Sequence, residues 1–234
     1  MNVPHRPIDG SLKGAWVMAG AVRWNVVTRS YTVFHRNSLE LTRILDRVRV
    51  DFAFSMQLSG DDTSETREFW DEVDQRLHNF LASAVSLVDH TRRLTKFFAP
   101  DVPDIVAEYE RRNAIVTELD ETSFLRDLRN YLLHFGVAPL LQTLNFNRGE
   151  GAETLDHLLK LNAVRLLEHH KWSAQSKRYL VGFADRDGPV LRDDVVVYAT
   201  AMQDLFSWLF AQRIPIYNDP RINDRFRLKS SSDG

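Results

Sequence analysis

A chain of 234 residues with 44% hydrophobic and 26% charged side chains can bury one large core and is too apolar to be disordered along its length. Its formal charge of −2 provides no global basic field of the kind that draws a nucleic-acid binder to its target, although a local basic patch is enough for brief contact with RNA. The absence of cysteine excludes a disulfide scaffold, a thiolate metal site and a cysteine nucleophile.

From the N-terminus, residues 1–13 are polar and lack the basic-then-apolar order of a signal peptide. The apolar stretch 15–27 is interrupted by Arg23 and Asn25 and is too short to span a bilayer. A cytoplasmic location without membrane attachment is the expectation. Between 22 and 34, β-branched and aromatic residues let helix and strand compete, with helix favoured. From Ser38 onward the apolar spacing is helical, and Asn37-Ser38 is a candidate cap. The longest predicted helix covers 64–98 and stops at Pro100 and Pro103. A shorter amphipathic helix follows over 104–118. Asp120 to Ser123 supply cap-like residues for a helix over 123–135, which ends at Gly136 with Pro139 beyond. Residues 140–146 and 155–167, separated by a turn at 147–151, fit a β-hairpin, and the second segment fits a helix as well. Helices over 172–183 and 191–212 flank a loop at 185–189. The tail 221–234 reads as a frayed polar end. The fold class expected is mainly α, an antiparallel helical bundle with a small two-stranded β insertion. It forms one domain over 14–217, with flexible termini at 1–13 and 221–234.

Two helices carry polar rows. On the long helix, Asn79, Ser83, Ser86, His90 and Arg93 recur at steps of four and three and share a face. The apolar Phe80, Leu81, Val85, Leu87 and Val88 around them suggest burial. Such a row serves as an internal hydrogen-bond network, as a helix–helix contact of small residues, or as the lining of a polar site. On the short helix, Ser123, Asp127, Asn130, Tyr131 and His134 cluster on one face. Phe124, Leu125, Leu128, Leu132 and Phe135 take the core side, and Arg126 and Arg129 border the polar row. Histidine exchanges protons near neutral pH, and arginine binds phosphate through two parallel hydrogen bonds. That combination suits phosphodiester chemistry, and a structural salt-bridge network equally.

The segment Arg129-Asn130-Tyr131-Leu132-Leu133-His134 resembles the signature of the HEPN superfamily of helical bundles. Nuclease members of that family carry an arginine, a polar residue and a histidine at this kind of spacing, on a helix that follows a long one. The resemblance covers the helical layout of roughly residues 64–135, and the last hundred residues lie outside it. Other arginine-to-histidine spacings occur at Arg29–His35 and Arg165–His170. The first lies in a β-prone run, and the second has Leu166 where a polar residue is wanted.

The resemblance implies metal-independent cleavage of RNA with Arg129, Asn130 and His134 as catalytic residues. His134 would serve as general base or acid, Arg129 would stabilise phosphate charge, and Asn130 would orient either. Arg126, Asp127, Tyr131, Asn79, Ser83, Ser86, His90 and Arg93 are the supporting candidates for substrate binding. Arg129 and His134 stand about 140° apart around an ideal helix, so one chain places them poorly on one phosphate, whereas a two-fold dimer pools both. The family further implies a homodimer, a toxin or anti-phage role and an antitoxin or other partner protein. The alternative is a non-catalytic binding or scaffolding module.

No cofactor and no metal are expected. His157, His169 and His170 lie near Asp156 and Glu168 but lack the one-turn spacing of a zinc helix, and no glycine-rich phosphate loop occurs. His169 and His170 read as exposed residues near a helix end.

Overall fold

Apolar residues at helical spacing dominate the chain, and the structure is mainly α with one two-stranded antiparallel sheet. The computed structural model describes residues 10–58, 60, 63–149 and 152–229. In chain order these form α1 (Gly10–Val50), α2 (Phe52–Leu58), α3 (Ser64–Phe98), α4 (Pro103–Glu118) and α5 (Asp120–His134). Strands β1 (Leu140–Gly149) and β2 (Ala152–Leu161) follow, then α6 (Ala163–Leu167), α7 (Ala174–Val181), α8 (Leu191–Ala211), α9 (Arg213–Asn218) and α10 (Pro220–Lys229). None of the described helices is long and apolar enough to cross a membrane.

Helix α1 runs unbroken for 41 residues, so Asn37 and Ser38 do not cap a new helix. Ser38 instead donates to the carbonyl of His35 at 2.8 Å. Thr28, Ser30, Thr32 and Thr42 each donate to the carbonyl four residues back. These hydroxyls are satisfied within the helix, and the β-prone run 22–34 is helical because that conformation buries Trp24, Val27 and Phe34. The tail from Arg221, expected to fray, is helical to Lys229 and buries Ile222 and Phe226, two apolar residues one turn apart. The hairpin also extends further than expected. Its strands pair from Leu140 opposite Leu161 to Gly149 opposite Ala152, so residues 147–149 of the turn anticipated over 147–151 belong to β1, and the rest of that turn lies outside the described residues.

Internal contacts divide the chain into two units. The first comprises Met1–Thr32, Ser86–Ala114 and Gln203–Gly234. Its core centres on Trp16, whose ring meets Phe98 at 5.5 Å and Tyr217 at 5.8 Å while its indole N–H donates to Asp101 at 3.2 Å. Gly20 permits this packing. A Cβ there would stand 2.6 Å from the Tyr217 hydroxyl and 3.0 Å from the Phe98 ring.

The second unit comprises Val33–Val85 and Ile115–Met202. Phe34 stacks on Phe80 at 5.5 Å and meets Tyr198 edge-on at 5.8 Å, which joins α1, α3 and α8. Ion pairs Arg76–Glu40 and Arg192–Asp46 reinforce the same contacts at the rim. The end of β2 is held by the loop before α8. Leu161 donates its N–H to the Pro189 carbonyl at 2.9 Å, and Ala163 donates to that of Asp187 at 2.9 Å.

A buried carboxyl lies in the first turn of α8. The Tyr179 hydroxyl donates to Oδ1 of Asp194 at 2.5 Å, while Oδ2 is buried without a partner. Burial raises the Asp194 carboxyl from 3.8 to about 8. The folded chain therefore binds more protons than the unfolded chain between those two values. Stability present below that window is lost as pH rises through it, by up to about 1.4 kcal/mol per pH unit. Asp194→Asn keeps an acceptor for Tyr179 and removes the charge. Its urea midpoint should vary less between pH 5 and 8 than that of the wild type, and parallel pH curves for the two proteins would refute this.

Candidate functional site

Helix α5 begins at Asp120, three residues before the expected start, and no side chain caps it. Asp120 and Glu121 favour its positive end through the helix dipole. Phe124, Leu125, Leu128 and Leu132 are buried, as the apolar face requires. Phe135, assigned by periodicity to the same face, is 49% exposed, because the helix ends at His134 and the chain turns there.

The polar face divides into a structural part and an open part. Asp127 accepts from the backbone N–H of Ser173 at 2.9 Å and from the Ser176 hydroxyl at 2.7 Å. Ser173 is itself the N-cap of α7. The carboxylate of Asp127 thus closes the positive end of α7, and Ser123 completes the hydroxyl cluster there. Arg126 donates to the Ser123 hydroxyl at 3.2 Å from an exposed position. Asp127→Ala should cost about 1.5–3 kcal/mol, the range for hydrogen bonds to a charged acceptor. Urea denaturation checks this, and a change below half a kcal/mol would refute the capping role.

Asn130 and His134 are exposed. Arg129 is half-buried. It reaches Asn130 Oδ1 from Nη1 at 3.4 Å, and its Nε is enclosed without a partner. Tyr131 lies against Trp172 at 5.9 Å with rings 18° from parallel, and meets His169 edge-on at 5.4 Å. Phe135 stands 4.0 Å from the His169 ring, with the Lys171 ammonium 5.1 Å from the Phe135 centroid and the His134 ring 6.3 Å away. Burial, followed by the neighbouring His170 and Lys171, lowers the His169 imidazole below its ordinary value. The C-terminal turn of α5 and the loop after α6 therefore form an irregular shelf of rings, with Tyr131 and Trp172 near-parallel and His169 edge-on to both, bordered by Lys171 and the exposed imidazoles of His134 and His170. Aromatic faces of this kind accept stacked bases, and the cations accept phosphate.

The sequence reading missed this shelf. It assigned Phe135 to the core and His169 to solvent, and Trp172 entered only as the start of a helix. Trp172 is fixed by the 2.6 Å bond from its indole N–H to the Leu166 carbonyl, a contact across a loop that periodicity does not encode.

The row on α3 is not an interior network. Asn79, Ser86 and Arg93 are exposed and His90 is half-buried, whereas Ser83 is buried and donates to the Phe80 carbonyl at 2.8 Å. Asn79 takes part through its backbone carbonyl, which accepts from Asn37 at 3.1 Å. Asn79 and Ser83 fall in the second unit, and Ser86, His90 and Arg93 in the first. No described hydrogen bond or ion pair joins Asn79 or Ser83 to Arg129, Asn130 or His134.

A serine–histidine pair does occur, between Ser55 on α2 and His157 on β2. Ser55 is fully buried and His157 is 1% exposed, and Gln142 donates to the serine oxygen at 3.0 Å. Sealed in this way, the pair pins the hairpin to α2 and reaches no substrate. Among the described residues, no three or more His, Asp or Glu side chains are grouped to hold a metal. No family model, curated protein or solved structure matches this chain.

Proposed function

We propose that this chain is a metal-independent endoribonuclease of HEPN type that acts as a homodimer through Arg129, Asn130 and His134. The observation that carries the reading is the solvent-facing His134 imidazole at the edge of the ring shelf formed by Tyr131, Phe135, His169 and Trp172. Single-stranded RNA stacks its bases on this shelf and brings its backbone to the His134 rim. His134 takes the proton of a ribose 2′-hydroxyl, and the 2′-oxygen attacks the adjacent phosphorus. The bond from phosphorus to the 5′-oxygen breaks, and that oxygen leaves with the proton that His134 has just taken up, so one imidazole serves each site. Arg129 neutralises the charge that gathers on the phosphoryl oxygens, and Asn130 orients the arginine it already contacts. The products are a 2′,3′-cyclic phosphate and a 5′-hydroxyl. A toxin or defence role in the cytoplasm, restrained by an antitoxin-like partner, extends the same reading.

A non-catalytic binding module is the second reading. It is favoured by the commitment of Asp127 to the α7 cap and of Arg129 to Asn130. The purified chain incubated with total RNA in EDTA separates the two. Fragments ending in cyclic phosphate support the enzyme, whereas RNA that is retained but intact after hours supports the module.

A further inference from the structure

The first unit carries a groove of about 670 Å³ that the proposed RNA chemistry does not use. It is lined by Val22, Arg23 and Val26 of α1 and by His90, Arg93, Lys96 and Phe97 of α3. Three full positive charges face it, no carboxylate lines it, and the chain as a whole carries −2. Among the described residues, Arg93 and Lys96 meet no acidic side chain within ion-pair distance. The neighbouring Arg92 by contrast is neutralised by Asp89 at 2.8 Å. Arg23 lies over the Phe97 ring at 4.3 Å and donates to the Ala19 carbonyl at 2.9 Å, so its guanidinium plane is fixed. His90 donates from Nδ1 to the Ser30 hydroxyl at 2.6 Å, and that hydroxyl in turn donates to the Val26 carbonyl, which fixes the ring at the groove wall.

We infer that this groove binds a free nucleotide carrying two or more phosphate charges. A single carboxylate would leave most of the positive charge uncompensated, so the occupant is a polyanion. Bare polyphosphate would leave Val22, Val26 and the Arg23–Phe97 pair against water, so the occupant also has a flat apolar body. A nucleobase laid on the guanidinium extends the stack already formed by Arg23 and Phe97, and the phosphates meet Arg93 and Lys96. The volume falls within the range of about 300–1,000 Å³ typical of small-ligand sites. The inference rests on residues of the first unit alone and stands or falls independently of RNA cleavage.

Calorimetric titration of the full-length chain with ATP, with tripolyphosphate and with a short single-stranded RNA tests it. Saturable binding of one ATP per chain is expected, tighter than that of tripolyphosphate. The double substitution Arg93→Ala/Lys96→Ala should weaken ATP binding by about tenfold or more, the value of a lost charge-assisted contact. Both side chains are exposed, so the melting temperature should stay within a few degrees of wild type and separate lost binding from lost folding. Arg93→Lys should retain most of the affinity. Val22→Trp, at an exposed position, should block the groove without unfolding the chain. No saturable binding of ATP, ATP binding unchanged in both the double variant and Val22→Trp, or binding of RNA alone would each overturn the proposal.

Discussion

Replacing His134 with alanine should lower EDTA-resistant RNA cleavage by about 10²- to 10⁴-fold, the usual contribution of a positioned general acid or base. The substitution removes an exposed ring at the end of α5 whose sole described contact is an edge-on approach to Phe135 at 6.3 Å. The melting temperature should therefore remain that of the wild type, and the loss should appear in the single-turnover rate. Arg129→Ala should produce a loss of similar size by removing charge stabilisation from the transition state. Arg129→Lys should recover only part of it, because an ammonium cannot present the planar fork of a guanidinium. Asn130→Ala should have a smaller effect, since the amide acts through the arginine it contacts. Equal cleavage by wild type and His134→Ala would exclude the assigned chemistry.

Gly188→Ala should destabilise the second unit by about 3 kcal/mol or more, a value set by backbone strain combined with overpacking. Gly188 adopts φ 146, a conformation that side-chain-bearing residues rarely take. A Cβ at this position would fall on the Leu161 carbonyl oxygen and stand 3.0 Å from the Ala163 nitrogen. Relief of that clash must displace the loop and with it the hydrogen bonds of Leu161 to Pro189 and of Ala163 to Asp187. Asp187 provides the control. Its φ of 70 with ψ −35 is a strained conformation that glycine adopts more readily, so Asp187→Gly should not lower stability by more than about 1 kcal/mol. Urea unfolding of the two variants side by side checks the contrast. Equal midpoints would show that the loop yields without loss.

Helix α3 was legible in the sequence to its terminal residues, because it has a clear apolar period and a proline stop. Helices α4, α5 and α8 were legible to within a few residues for similar reasons. The hairpin was legible only as one of two options. Leu155 to Leu161 alternate in a way that suits a strand and are also spaced acceptably for a helix, and pairing with β1 resolves the choice. Helix α10 was hidden by its charged composition, since two buried residues, Ile222 and Phe226, suffice to dock it. At the candidate site, the exposure of Asn130 and His134 followed from the helical wheel. The capping role of Asp127 and the stacking of Tyr131 on Trp172 depend on where residues more than forty positions away return, and no local pattern records that. The row from Asn79 to Arg93 shows the opposite error. Its apolar neighbours Phe80, Leu81 and Leu87 are buried on the adjoining face, and most of the row itself is exposed.

The central claim is that the guanidinium of one chain and the imidazole of another meet on a single phosphodiester. Mixed dimers test it most directly. Arg129→Ala and His134→Ala chains carrying different tags are co-expressed, and the heterodimer is isolated through both tags. The account predicts that each homodimeric variant is inactive while the heterodimer, which retains one intact composite site, cleaves RNA in EDTA at about half the wild-type rate. A heterodimer as inactive as its parents, beside an active wild type, would contradict it.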